Sequence, residues 1–582
     1  MDIKIGIPLR LGHLPLLMDF LRRSRVFDVI DHAIKEDPRS KVSTSECVAV
    51  ILCSVYAGAH DLWRVRERMA RYDMKTIMGD PLFDINEFTE ERLAKAMDDL
   101  QRFNLDKLMT SVALQAIEQF HLRTDFFTFD TTSLSFYGAY ENEEFGSITT
   151  DMPPAPPRVT FGHAKNHRSD LKQILYGTLM TADGGIPLMG KALDGNKSDN
   201  HAAAEFFGQV RKLVENPRNV CCVADSKGWC ARVLRLAKDE NLRILSRLPR
   251  THKLHEQIIA KKWQPEGKLE IPARGKRDEP DVYEYMGFDV EESLRLDTTA
   301  ATPNAPKTHE LVDVSARAVR IFSTALLRTK LKSLERTRAR EVKAATIQIG
   351  KWQNCGYACE IDAQRAAERQ CLDHGWITRD LHPTLVPVVG PMKPRRGRPS
   401  SHAETPLLGD HYRITYTSSP VSKSVSERRL HRQSTFILIR TRNDGWKIED
   451  SELIPRYKGL YHNEHGFAWL KSGASLNPVF LHTEERIASL CFIYCIGLMA
   501  WSLIQREVRK TLKATNTMLP YHRGKPSNMI TTRFFFELFA QVQVVPYRMG
   551  DGPEKRELAG FEGTVEAACR AAGTKRKAFT PC

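Results

Sequence analysis

Three acids stand where their chemistry calls for an explanation. Asp130 lies in the middle of DFFTFDTTSLSFYG, an apolar and β-branched stretch, and Asp225 follows the short apolar run VCCVA. A carboxylate in such surroundings is costly to bury unless it is paired or binds a cation. Glu464 lies in YKGLYHNEHGFAWLK, seven residues after Tyr457 and seven before Lys471. At about 100° per residue, two helical turns return to nearly the same face, so this spacing predicts a Tyr457, Glu464 and Lys471 stripe on one helix. Two strand acids joined by a helix glutamate would form an oxygen-rich cage suited to Mg²⁺, which keeps waters and phosphate oxygens as its other ligands. A pair of such ions can stabilise both the attacking and the leaving oxygen of an in-line displacement at phosphorus. Each acid also has a plainer reading. Asp130 would then be a strand-end or turn acid, Asp225 the cap of a helix in SKGWCARV, and Glu464 a solvated partner of a helical lysine.

Cations accompany these acids. FGHAKNHRSDLKQ carries Lys165, His167, Arg168 and Lys172, which beside a carboxylate site would hold phosphates. Farther on, Lys393-Pro394-Arg395-Arg396-Gly397-Arg398-Pro399 resembles an AT-hook. In that motif a Gly-Arg-Pro core lies in a narrow minor groove. A solvated linker of the same composition is the competing reading.

The elements that must position these groups follow from periodicity. The first 120 or so residues read as helical, with Ser43 and Glu46 forming a capping box ahead of CVAVILCSVY. From Asp125 the pattern changes to three antiparallel-looking strands, a helix, the VCCVA strand, a second helix and the strand LRILSRLPR, which is an α/β core. Between Pro249 and Tyr457 the texture differs, with the strongly basic LLRTKLKSLERTRAREV expected as one helix and DHYRITYTSS and STFILIRTRND as strands. The resulting division is a helical N-terminal domain over 1–120, as a place for contact with DNA ends; a first core segment over 121–250; an inserted β-rich module over 251–452; a second core segment over 453–545; and a mobile tail over 546–582.

Composition narrows the class. The chain has 582 residues, with 86 Lys plus Arg against 71 Asp plus Glu and a formal charge of +15, which favours a polyanionic partner such as nucleic acid. Its twelve cysteines form no spaced disulfide framework, and reduced thiols in the cytoplasm are expected. Cys355, Cys359, Cys371 and His374 have a spacing loosely like a zinc site, although the first two are more simply neighbours on one helix face. The uncharged run from Ile487 to Ile504 is long enough to cross a bilayer, but a buried central helix is the expected reading, without a membrane.

The ordered set FTFDTTSLSFYG, FGHAKNHRSDLKQ, ALDGNKSDN, VCCVADSKG, LSRLP and YKGLYHNEHGFAWLK resembles the DDE transposases of bacterial insertion sequences. Specifically, it resembles the group with a ribonuclease-H-like core and a β-rich insertion between the second Asp and the Glu. That resemblance implies an α/β fold with Asp130, Asp225 and Glu464 as catalytic metal ligands for two Mg²⁺ or Mn²⁺ ions. It further implies cleavage at terminal inverted repeats, strand transfer of the 3′-hydroxyl to target DNA, a homodimer on DNA, and a nucleoid-associated place in a bacterial cytoplasm. Tyr457 and Lys471 match the family's DNA-contacting positions on the glutamate helix, whereas Leu460 stands where the family has an arginine. A metal-dependent nuclease without strand transfer and a catalytically silent DNA-binding relative are the alternatives.

Overall fold

The computed structural model describes residues 3–58, 61–137, 140, 155–163, 165, 168–272, 279–297, 309–390, 409–442, 448–473 and 481–581. It is a mixed α/β protein with a large mixed sheet, and its chain divides into two compact units. The first comprises Met1–Pro249, Asp289–Arg317 and Ile439–Cys582, and the second Arg250–Phe288 and Ala318–Leu438. Three long strands, Asp281–Asp297, His309–Ser323 and Thr435–Thr441, contribute residues to both.

In the first unit, strands Ile186–Leu193, Lys172–Thr181, Phe126–Phe136, Cys221–Ala224 and Arg243–Arg247 lie side by side in that order. The first three pair antiparallel, and Phe126–Phe136, Cys221–Ala224 and Arg243–Arg247 pair parallel. Helices Asp199–Gln209 and Ala231–Asp239 make the crossovers that parallel pairing requires. Alternation along Phe126–Phe136 assigns the two faces. Phe129 packs its ring on Phe206 and Phe207 of Asp199–Gln209, while Thr128, on the other face, meets the segment after residue 448 through Asn463.

A long buried helix packs on the same sheet. Glu484–Ala514 has 94% of its most apolar window inside the protein and packs against Ile186–Leu193 and Glu90–Phe103. Its polar groups find partners along its length. Ser489 donates to the Met97 carbonyl at 2.6 Å, Arg486 pairs with Asp98 at 2.8 Å, and Arg506 pairs with Asp183 at 2.7 Å. Toward the N-terminus lie helices Leu14–Arg23, Val26–Ala33, Thr44–Tyr56, Glu90–Phe103 and Leu105–Phe120, and both halves of the Ser43 and Glu46 capping box are made.

Two expectations change. Residues 546–581 are ordered, with strands Gln543–Met549 and Lys555–Ala559 and helix Thr564–Ala572. Phe561 and Phe579 pack there in the core with tilted rings, and this apolar content anchors a segment whose TKRK charges suggested a mobile tail. In the second unit the basic stretch forms two helices, Thr324–Lys332 and Leu334–Trp352, broken at Ser333. That unit also holds the antiparallel strands Gly356–Tyr357, His411–Pro420 and Arg379–Val388, with helix Glu360–Asp373 packed on Ile414 and Tyr416. Cys359 caps this last helix and Cys355 precedes it by a strand, so the two do not share a helix face.

Gly190 allows the buried helix to approach the sheet. A Cβ there would lie 2.5 Å from Cys495 Sγ and 2.4 Å from the Tyr176 hydroxyl, both of which are fully buried. Gly190→Val is expected to destabilise the chain by about 2–3 kcal/mol through overpacking, read as a lower midpoint in thermal unfolding; an unchanged midpoint would show that this packing is loose.

Candidate functional site

Asp130 and Asp225 become neighbours because two ladders end at different places. The parallel pairing runs from Phe126 opposite Cys221 to Phe129 opposite Ala224. Asp130 and Asp225 are the next residues on each strand. On its other edge the Asp130 strand stays paired, with Asp130 opposite Thr178 and continuing to Phe136 opposite Lys172. Asp130 is therefore held in a strand on one side and faces a strand end on the other. Carboxyl ends of parallel strands are where open α/β sheets place ligands.

Both acids line one recess, together with Asp199, the first residue of helix Asp199–Gln209. Asp199 accepts a hydrogen bond from the Thr131 hydroxyl at 2.6 Å. Lys165 Nζ lies 3.6 Å from Asp199 and 3.8 Å from Asp130, and it donates to the Thr131 carbonyl at 2.7 Å. Lys227 Nζ lies 3.9 Å from Asp199. Asp225 caps the short turn Ser226–Gly228, accepting from the Lys227 N–H at 2.9 Å, yet its side chain remains exposed. Capping and site membership are thus compatible in one residue. Burial pushes the Asp130 carboxyl up to about 6; the charges of Asp225 and Asp199 push the same way, and Lys165 and the Thr131 N–H oppose them without prevailing.

The glutamate segment is fastened onto the same strand. Asn463 is fully buried, and its amide donates to the Thr178 carbonyl at 3.2 Å and the Thr178 hydroxyl at 3.0 Å. Thr178 is the residue opposite Asp130. Glu464, next in sequence, is exposed. Its helix is not the continuous one that the spacing predicted. Asp450–Lys458 and Tyr461–Ala468 are separate helices, and Trp469–Gly473 is a π-turn carrying Lys471. At Gly459, Leu460, His462 and Asn463 the backbone N–H bonds the carbonyl three residues back. This tightening, followed by the wider π-turn, replaces the regular 100° step on which a single stripe depends.

Charge still links Tyr457 and Lys471 to groups of the recess. Burial pushes the Tyr457 phenol up to about 12; the negative charges of Asp225, Asp130 and Glu464 add to this, and the cation of Arg247 opposes it. Burial lowers the Lys471 ammonium, and the Lys165 charge lowers it further. Thus one phenol senses all three acids, and Lys471 senses the lysine that touches Asp130. Among the described residues, no three His, Cys, Asp or Glu side chains converge closely enough to hold a metal ion as they stand. The donor chemistry nevertheless fits a hard divalent cation, because the groups are carboxylate oxygens and the burial that disfavours the Asp130 charge is not offset by Lys165 alone.

Other expected contacts fall elsewhere. Arg168 is engaged by Asp170 of its own loop at 2.8 Å, and Lys172 donates to the Tyr140 carbonyl at 2.6 Å. His167, Arg395, Arg396 and Arg398 lie outside the described residues. Arg456, the cation before Tyr457, sits over the Phe126 ring at 3.8 Å. Sequence reasoning missed Asp199, Lys227 and Arg247. All three lie inside the quoted stretches ALDGNKSDN, VCCVADSKG and LSRLP, and an acid directly after a capping serine was the available signal for Asp199.

A family profile described as a domain of unknown function (DUF4277) matches residues 8–114. No curated protein matches the chain. Among solved structures, a piggyBac transposase synaptic complex with hairpin DNA is similar at 11% identity and a TM-score of 0.25, over 54% of this chain and 63% of that one. The match therefore spans less than two thirds of the piggyBac chain. A pre-cleavage Mos1 transpososome and a Mos1 transposase paired-end complex are similar at 10% identity and a TM-score of 0.14, each over 43% of this chain and 80% of the other.

The upward shift of Asp130 has a measurable consequence. An unfolded aspartate titrates near about 3.9, so between that value and about 6 the folded chain binds the extra proton. Stability conferred by this residue is present below that window and is lost as pH rises through it. Asp130→Asn should therefore raise the thermal midpoint at pH 8 in EDTA, by roughly 1–3 kcal/mol of stability, with the gain vanishing at pH 4. Equal midpoints at pH 8 would mean that the charged carboxylate is not disfavoured.

Proposed function

We propose that this chain is a DDE transposase of the insertion-sequence type, with a ribonuclease-H-like core. The observation that carries this reading is the placement of Asp130, within its strand, beside Asp225 at the end of the neighbouring parallel strand, with the Glu464 segment anchored through Asn463 to the residue opposite Asp130. Asp130, Asp225 and Glu464 would hold Mg²⁺, or Mn²⁺ in its place. Bound divalent ions supply charge stabilisation for the attacking and leaving oxygens at phosphorus.

The protein's own groups would do the rest. Lys165 presents positive charge beside Asp130 and, with Lys471, would bind the scissile phosphate, while Arg247 and Tyr457 would orient the strand. Hydrolysis breaks the P–O3′ bond, with a water proton passing to the released 3′-oxygen. In strand transfer that 3′-hydroxyl attacks a target phosphorus, and a target 3′-hydroxyl leaves. Two protomers would pair the two terminal inverted repeats on double-stranded DNA. The net charge of +15 suits such a partner.

Leu460, in place of the family's arginine, favours one second reading, a silent DNA-binding relative. Incubation with a duplex bearing the element's ends separates the two. The transposase reading expects Mg²⁺-dependent nicking and joining. Asp130→Ala, Asp225→Ala and Glu464→Gln should each lower the cleavage rate by about 100-fold or more while salt-sensitive DNA binding remains. Full activity in any one of them would sink the assignment, and binding without cleavage by the unaltered chain would establish the silent relative.

A further inference from the structure

The second unit contains a cleft of about 420 Å³ whose walls include Lys330, Arg336, Arg340, Glu341 and Trp376. Every residue lining it belongs to that unit. Its charges are not balanced from within. Glu341, its one lining carboxylate, is buried and accepts hydrogen bonds from the Ile377 N–H at 2.8 Å, the Thr378 N–H at 2.9 Å and the Thr378 hydroxyl. Its oxygens are thus directed at the Ile377 and Thr378 loop. Lys330, Arg336 and Arg340 form no ion pair with any described residue.

Two other arginines of the unit are paired with carboxylates. Arg429 pairs with Asp380, and Arg328 pairs with Asp281. The cleft thus brings together three cations that no described carboxylate neutralises. Arg336 and Arg340 stand one helical turn apart on Leu334–Trp352, about 5–6 Å between Cβ atoms, and Lys330 reaches the same space from Thr324–Lys332. Three cations around one concave surface, in a chain of formal charge +15, are complementary to a run of phosphates. Both arginines are exposed, as contact with a polymer requires.

We propose that this cleft is a second DNA site, which binds the phosphodiester backbone of duplex DNA without sequence preference. Lys330, Arg336 and Arg340 each meet a phosphate. The site acts separately from the carboxylates of the first unit, so it operates without divalent metal and whether or not the chain cleaves DNA.

The test uses the full chain in EDTA, a fluorescent duplex of arbitrary sequence and a salt titration. Lys330→Ala/Arg336→Ala/Arg340→Ala should weaken binding by about tenfold or more at low salt and flatten the slope of log affinity against log salt by about 2–3. Arg338→Ala/Lys343→Ala/Lys351→Ala removes the same charge from residues of the same helix outside the cleft and should change affinity by less than about threefold. Arg336→Lys/Arg340→Lys keeps the charge and should keep the slope, which guards against a loss caused by misfolding. An unchanged slope in the cleft variant overturns the proposal, as does an equal loss in the control variant. Weakened binding to heparin with unaltered binding to DNA also overturns it. Loss of cleavage in the Asp130, Asp225 or Glu464 variants does not bear on this result, because those residues lie outside the cleft.

Discussion

A parallel ladder that stops one residue short of an aspartate, beside an antiparallel ladder that continues past it, is the constraint on which the first unit's site depends. Phe129 opposite Ala224 is the last parallel pair, whereas Asp130 remains fixed opposite Thr178. Backbone hydrogen bonding thus immobilises Asp130 while opening space at the end of the neighbouring strand. Asp225 enters that space as the cap of a tight turn, and Asp199 enters from the amino end of a crossover helix. The other acid, Glu464, depends on the same strands at one remove, because Asn463 anchors its segment to Thr178.

Such an arrangement costs stability. Like charges surround a carboxyl already disfavoured by burial, and Lys165 offsets only part of the penalty. A core selected for stability alone would place a neutral side chain at this point of the sheet, so the retained acid is more readily understood as serving a ligand than as serving the fold. The surrounding cations show the complementary feature. Lys165 is shared between Asp130 and Asp199, Lys471 is depressed by burial and by Lys165, and Arg247 acts on the same phenol that senses the acids. Mixed charge at close range can bind an anionic substrate while leaving oxygen donors available.

The second unit separates the two roles that charge plays in the first. Glu341 is directed at the backbone, where it organises a loop, and the cations at the cleft lack partners among the described residues. Its helices Thr324–Lys332 and Leu334–Trp352 meet at Ser333, and this break brings Lys330 to the same concavity as Arg336 and Arg340. One uninterrupted helix would turn Lys330 about 120° away from Arg336 at the same 100° step.

Local pattern was enough for much of the protein. Alternation in DFFTFDTTSLSFYG, the continuous apolar run VCCVA and the Ser43 capping box each report nearest-neighbour chemistry, and the strands, crossover helices and helical N-terminus follow from them in the right order. Their types also marked Asp130, Asp225 and Glu464 as acids needing an explanation. Periodicity failed where the backbone leaves its ideal step. The tightened bonds at Gly459 to Asn463 lead into a side chain that bonds Thr128 and Thr178, residues hundreds of positions away in the chain, and the π-turn at Lys471 follows within one helix length. Asp199, Lys227 and Arg247 were invisible as site members for the same reason: each belongs to a different element, and only the sheet brings those elements to one strand end. The sequence by itself determined which elements form and which acids are out of place, because those are local matters of hydrogen bonding and solvation. Which charges share a recess was decided by tertiary structure alone, because proximity across a sheet is set by the register and termination of strands that the chain joins in distant order.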